Sequence, residues 1–311
     1  MTLKITTIGE VLVDLTQTSI DSNGITHFAA NPGGAPANVA VAASKLGVET
    51  AFVGCVGKDS FGELLRQALL RYGVNTDGLQ VTSRTGTTLA VVTVAPSGER
   101  SFSFFRTPGA DTQIDETEAM KHIRGTDILH FGSVSLTDPA CREVIMNVVS
   151  RAKEEGVIVT YDPNFRASLW DDHQVAVRRM RDVLPYCDII KISDEETELL
   201  TGEKEPMKAA KVLLDKGLKL VLVTLGPDGA LFCTKDTFAT VPGYRVKVAD
   251  TNGAGDTFFG ALLSCLAKRG SIENLTKEEL TKYVDFANRA ASITTSRSGA
   301  MPAMPYFKEV E

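Results

Sequence analysis

The densest chemistry in the chain lies in Asp250-Thr251-Asn252-Gly253-Ala254-Gly255-Asp256-Thr257. An apolar helical run, Phe258–Leu266, follows it, so Gly253-Ala254-Gly255 stands at a helix N-terminus. Free backbone N–H groups and the helix dipole make such a terminus an anion site. Glycines also let a phosphate approach the backbone closely. Asp256 reads in two ways: a first-turn carboxylate that stabilises the helix, or a base that takes the proton of an alcohol attacking a phosphate. No other nucleotide motif competes. Gly57-Lys58 is followed by Asp59, Phe52 stands where a Walker loop needs glycine, and Phe258 breaks any G-x-G-x-x-G pattern.

Further polar groups sit at element ends. Gly33-Gly34 leads into a helix whose first turn holds Pro36 and Asn38, giving either a tight turn or N–H groups and an amide for hydroxyls. Asp14 ends an apolar run and reads as a strand-end turn residue or an acceptor for sugar hydroxyls. Asp162-Pro163-Asn164 is turn chemistry at the end of a strand. The acidic turn Asp194-Glu195-Glu196 after Lys191-Ile192-Ser193 suits a helix dipole, with metal binding by Glu196 the other reading. Four histidines without i, i+4 pairing or a nearby cysteine argue against a structural zinc site.

The elements that position these groups alternate. Strands are expected at Lys4–Ile8, Thr50–Val56, Ile128–Phe131, Val157–Tyr161, Ile189–Ile192 and Leu220–Thr224. Amphipathic helices lie between them at Ala35–Leu46, Phe61–Tyr72, Ala140–Glu154 and Met207–Lys216, often closed by glycine. This alternation implies an α/β fold, a parallel sheet with helices on both faces and ligands at the carboxyl ends of the strands. Residues 20–31 and 85–106 break the rhythm with short β runs: a pair around Asn23-Gly24, and a hairpin of Thr87–Val94 and Arg100–Phe105 about the turn Pro96-Ser97-Gly98-Glu99. They suggest a small antiparallel sheet, either a lid or a surface decoration.

With 311 residues, 43% of them hydrophobic, the chain has material for a large core. A net charge of −6 argues against nucleic-acid and anionic-membrane partners. Five scattered cysteines without a C-x-x-C pair suit a reducing compartment. No apolar stretch approaches a membrane span and no signal peptide is expected, so a cytoplasmic location is inferred.

The order of these segments is more specific than any one of them. Gly9…Asp14, Gly33-Gly34-Ala35-Pro36-Ala37-Asn38, Asp162-Pro163-Asn164, Lys191…Glu196, Thr224-Leu225-Gly226 and Asp250…Asp256 resemble the ribokinase-type (PfkB) carbohydrate kinase family over about residues 3–305. Pro32–Val41, Phe105–Asp111, Gly132–Leu136, Tyr161–Arg166 with Leu169-Trp170, and Ile190–Glu196 look most like fructokinases. The resemblance implies a Rossmann-like single domain, 1–311, with a β lid formed by about residues 10–32 and 85–110. It implies ATP-dependent phosphorylation of a sugar primary hydroxyl, D-fructose to fructose 6-phosphate. Relatives acting on ribose, 2-keto-3-deoxygluconate or a nucleoside are the alternatives, and a sugar sensor without turnover is the rival of another class.

By the same resemblance Asp14, Gly33, Gly34 and Asn38 hold sugar hydroxyls, Arg106 is a lid arginine near the substrate, and Asn164 and Arg166 line the reacting end. Gly253, Ala254 and Gly255 form the anion hole and Asp256 is the base. Lys191, Ser193, Thr224, Gly226 and Asn288 serve the nucleotide, and Glu196 reaches magnesium through water. Asp250, Asn252, Thr294, Arg297 and Gly299 match a potassium loop, the last four chiefly through carbonyls. Two positions depart: Ser193 stands where the family often has asparagine, and Ala303 where a hydroxyl sometimes occurs. The open lid edge offers a surface for a homodimer.

Overall fold

The computed structural model describes residues 2–94 and 100–311, so the turn expected at Pro96-Ser97-Gly98-Glu99 lies outside the described residues. In chain order the strands are β1 (Ile5–Ile8), β2 (Leu12–Ile20), β3 (Thr26–Gly33), β4 (Thr50–Gly57), β5 (Leu79–Thr82), β6 (Leu89–Val94), β7 (Arg100–Phe105), β8 (Ile128–Gly132), β9 (Ile158–Asp162), β10 (Ile189–Ser193), β11 (Leu220–Thr224), β12 (Ala230–Cys233) and β13 (Phe238–Val241). The helices are α1 (Ala35–Lys45), α2 (Ser60–Arg71), α3 (Glu116–Ile123), α4 (Pro139–Glu154), α5 (His173–Asp182), α6 (Thr197–Thr201), α7 (Pro206–Asp215), α8 (Ala254–Arg269), α9 (Lys277–Thr295) and α10 (Phe307–Val310).

The main sheet runs β13-β12-β11-β10-β9-β8-β1-β4-β5, parallel from β11 to β5 and antiparallel at β12 and β13. Its central strands are buried on both faces: every residue of β1 and β4 is inside, and Ile5 and Ile8 enter opposite cores. Strands buried on both sides read as near-continuous apolar runs, as β4 does, whereas β1 also buries Thr6 and Thr7. Residues of α3, α4, α5, α6 and α7 cover one face, and those of α1, α8, α9 and α10 the other. A third cluster joins α1 and α2 to β4, the base of the small sheet, Met301 and Met304.

The second sheet has four strands in the order β3-β2-β6-β7. It corrects two expectations. The first hairpin is much longer than a pair around Asn23-Gly24, because its strands begin at Leu12 and end at Gly33. Asp14 therefore lies inside β2 rather than at the end of an apolar strand. Nor is the sheet purely antiparallel: β2 and β6 run parallel, Val13 opposite Leu89. Both strands start at the cavity described below and run outward, and each returns through its own hairpin, so their shared edge must be parallel.

Candidate active site

Helix α8 begins four residues earlier than its apolar run, at Ala254. Gly253 precedes it with φ 75°, a left-handed conformation that costs glycine little. A Cβ there would also come within 3.0 Å of Ala300 Cβ. No side chain caps this helix, which leaves first-turn N–H groups for an anion. Asp256, in that first turn, is 7% exposed and accepts a 2.8 Å hydrogen bond from Asn38 Nδ2. Burial pushes its carboxyl above the usual range, while Asn38, Lys191 and Arg166 pull it back.

Asn38 reaches Asp256 because α1 starts at the Gly33-Gly34 turn. Gly34 has φ 104°, and a Cβ on it would stand 2.5 Å from the Glu10 carbonyl oxygen; one on Gly33 would stand 2.5 Å from Asp14 Oδ2. Only glycine lets the helix begin this close to β2. The other amide atom, Asn38 Oδ1, is buried without a partner, an acceptor waiting for a donor.

Asp14, Gly34, Asn38, Asn164, Arg166 and Asp256 line one cavity of about 460 Å³, walled on the small-sheet side by Leu12, Ala90, Val92 and Phe104. Polar groups at one end and apolar strands above suit a small polyol. Burial pushes the Asp14 carboxyl up to about 6, against a 3.4 Å hydrogen bond from Asn252 Nδ2. Asn164 holds φ 44°, its N–H donating to Asp162 Oδ1 at 3.1 Å.

A second cavity, about 510 Å³, is lined by Thr224, Gly226, Tyr244, Val246, Val248 and Asn288 among others. It is more apolar and suits a flat base. Asn288 donates from Nδ2 to the carbonyls of Val241 and Pro242, both at 3.2 Å, and so fixes that wall. The two cavities share Thr251 and Gly255. At this junction a Cβ on Gly255 would lie 3.0 Å from Lys191 Nζ. Lys191 is buried and paired with Asp162 Oδ2 at 2.8 Å; burial works to lower its ammonium, but Asp162 and Glu196 outweigh it and hold it above its ordinary value.

Residues 2–306 match the pfkB family carbohydrate kinase. The chain belongs to this family. A probable fructokinase-5 of Arabidopsis thaliana is 42% identical over 308 residues, 97% of this chain and 94% of that protein. Among solved structures, a fructokinase from Xylella fastidiosa with bound ATP superposes with TM-score 0.90 at 33% identity, covering 99% of this chain and 96% of that one. A fructokinase from Vibrio cholerae O395, in a fructose, ADP and calcium ion bound form, gives TM-score 0.89 at 32% identity, covering 100% and 99%. This chain is accordingly an ATP-dependent carbohydrate kinase with a ribokinase-like α/β fold.

For a carbohydrate kinase the remaining groups can be placed. Glu196 accepts the Phe165 N–H at 2.7 Å on one oxygen, and on the other the Ser193 N–H at 2.8 Å and the Ser193 hydroxyl at 3.1 Å. One lone pair on the first oxygen stays open, enough for one water but not for a bidentate metal bond. No cluster of three or more His, Cys, Asp or Glu suited to a metal occurs among the described residues. That donor set fits a magnesium ion carried mainly by phosphates and water. Asp250 ties its own loop together, accepting N–H groups of Asn252 at 3.0 Å and Gly299 at 3.2 Å. The Thr294 carbonyl accepts the Arg297 N–H at 3.0 Å, and the Arg297 guanidinium pairs with Glu309 at 2.6 Å. Carboxylate and carbonyl oxygens of this kind suit a hard cation.

Arg106 is engaged by the protein itself. Its Nε donates to Asp111 at 2.7 Å, Nη1 to the Thr137 hydroxyl at 2.6 Å and Nη2 to the Val134 carbonyl at 3.1 Å, and it lines neither cavity. A guanidinium this buried spends its donors on the protein, and here it braces the strand end. Glu10, on the other hand, is a cavity residue that sequence reasoning passed over. It is 1% exposed, accepts the Ala35 N–H at 3.1 Å and the Ser135 hydroxyl at 3.3 Å, and burial pushes it up to about 7. The available signal was a carboxylate set between Gly9 and Val11 at the end of a buried strand.

Proposed function

We propose that this kinase transfers the γ-phosphoryl group of ATP to the primary O6 hydroxyl of D-fructose. The observation that carries the reading is the buried Asp256 carboxylate beside Gly255, where the polar cavity meets the apolar one. Fructose occupies the cavity beneath the small sheet, its hydroxyls held by Asp14, the Gly33-Gly34 turn and Asn38, with Asn164 and Arg166 at the reacting end. The nucleotide lies along Thr224, Gly226 and Asn288, its phosphates reaching Lys191 and Ser193.

Asp256 takes the O6 proton as oxygen attacks the γ-phosphorus in line; the bond to the β-phosphate oxygen breaks and ADP leaves. N–H groups of Gly253 to Asp256, together with Lys191, stabilise the charge on the moving group. Glu196 would hold a water of the magnesium ion that ATP carries, and that ion would supply further charge neutralisation. Asp250, Asn252, Thr294, Arg297 and Gly299 would hold potassium, which supplies order to the loop that ends in the anion hole. The small sheet acts as a lid that excludes water. Its exposed Ile20, Ile25 and Phe28 give an edge for a homodimer, and the enzyme works in the cytoplasm.

The test is a coupled assay with ATP and a panel of fructose, ribose, 2-keto-3-deoxygluconate and a nucleoside, with the product's phosphate position read by NMR. Fructose 6-phosphate is expected as the preferred product. A tenfold or greater kcat/KM advantage for another acceptor, about 1.4 kcal/mol of transition-state preference, would overturn the assignment.

A further inference from the structure

Helix α1 buries two polar side chains seven residues apart, Asn38 and Lys45. Seven residues are about two turns, roughly 10.5 Å of rise, so both occupy one face. Asn38 bonds Asp256. Lys45 is 6% exposed, and its ammonium donates to the carbonyls of Met301 at 3.0 Å and Met304 at 2.6 Å. The rings of Tyr72 and Tyr306 flank it, with centroids at 4.7 Å and 4.8 Å. A buried ammonium is costly unless it is fully engaged, and here two carbonyls and two ring faces engage it.

What the lysine grips is the wall behind the anion hole. Residues 300–304 form no helix or strand that would occupy their carbonyls, although Ala300, Met301, Ala303 and Met304 are all buried. Besides the two Lys45 bonds, this turn has the Ala303 N–H to Ala300 bond and a 3.4 Å contact from Arg297 to the Ala303 carbonyl. Gly253 packs directly against it: a Cβ there would meet Ala300 Cβ at 3.0 Å and Met304 Cε at 3.5 Å. The path from Lys45 to Gly253 is therefore two contacts long.

We propose that Lys45 is a positioning residue for phosphoryl transfer: by fixing the Met301 and Met304 carbonyls it holds the turn that backs Gly253, and so sets the anion hole that receives the nucleotide's phosphates. This rests on the functional reading above. Lys45→Met keeps the stem length and removes the donors. It should weaken ATP binding, measured by calorimetry with magnesium, and lower kcat/KM for ATP, each by roughly tenfold, or about 1.4 kcal/mol, while KM for fructose stays near wild type. Leu69→Ala is the control, a cavity in the same apolar cluster that lowers stability without this split. Tyr306→Leu removes one ring from a half-exposed site and should shift ATP binding in the same direction by less.

Unchanged ATP affinity in Lys45→Met overturns the proposal. So does an equal loss of ATP affinity in Leu69→Ala, which would mark the effect as general loosening. Should Lys45→Met fail to fold, unchanged ATP affinity in Tyr306→Leu overturns it instead. A wild-type protein that binds ATP but does not phosphorylate fructose refutes the substrate assignment alone, because the calorimetric comparison still reads the role of Lys45.

Discussion

Replacing Asp256 by asparagine separates its two readings, because they predict opposite patterns. As a base, the carboxylate contributes about 10²–10⁴-fold, or roughly 2.7–5.4 kcal/mol of barrier. Asparagine keeps the shape and can still accept from Asn38 Nδ2, which is 2.8 Å away, but it cannot take the hydroxyl proton. The stability ledger is nearly flat. Loss of the helix-dipole interaction costs about 0.3–1 kcal/mol, and a charge-assisted hydrogen bond becomes a neutral one at a cost of about 1 kcal/mol. Against this, burial already disfavours the ionised form of Asp256, so a neutral side chain relieves a desolvation penalty of comparable size. The variant should therefore melt within a few degrees of wild type, bind fructose and ATP with little change, and lose at least about a hundredfold in kcat. Steady-state kinetics beside calorimetric binding and a thermal melt would show this. A folded Asp256→Asn protein with more than about a tenth of wild-type kcat would refute the assignment of the base.

Three further outcomes are expected. Glu10 is raised from its ordinary 4.5 to about 7, so between those values the folded chain holds a proton that the unfolded chain has released. Stability should fall as pH rises through that window, by up to about 3 kcal/mol; Glu10→Gln should flatten the dependence, and identical pH–Tm profiles would contradict the cause. Arg106→Met leaves Asp111 buried and unpaired and should cost about 3–5 kcal/mol, most of it recovered in the Arg106→Met/Asp111→Asn double variant; an additive double variant in denaturant titrations would contradict the pairing. Potassium should raise kcat over a bulky organic cation at equal ionic strength, and equal rates would remove the cation from the Asp250–Gly299 loop.

The legible parts of the fold were those with local signals. β4 and β11 are largely apolar runs, and α8 announces itself by glycines before an apolar helix. β12 and β13 were not read because four residues are too few to show a period, and β13, at the sheet edge, fully buries only Val241. The parallel β2–β6 edge joins positions as far apart as Val13 and Leu89, and no periodicity encodes that. In the site, Asn38, Asn164 and Asp256 lie at or just after glycine or asparagine turns that carry a sequence mark, and the fold brings them to one cavity with Asp14 of β2. Glu10 and Arg106 carried no such mark. Whether a charged side chain faces ligand or braces the backbone is decided by partners from distant segments, here Ser135 for Glu10, and Thr137 and Val134 for Arg106.

The two cavities meet at Thr251 and Gly255, which line both. A molecule carrying a keto-hexose joined to adenosine through a short oligophosphate could thus occupy both at once. Binding of its second half would be intramolecular, at an effective concentration in the millimolar range, and avidity could exceed either half alone by about 10²–10⁴-fold. Gly255→Ala, which places a methyl against Lys191 Nζ where the cavities meet, should erase most of that gain while the keto-hexose, offered alone, keeps its own affinity.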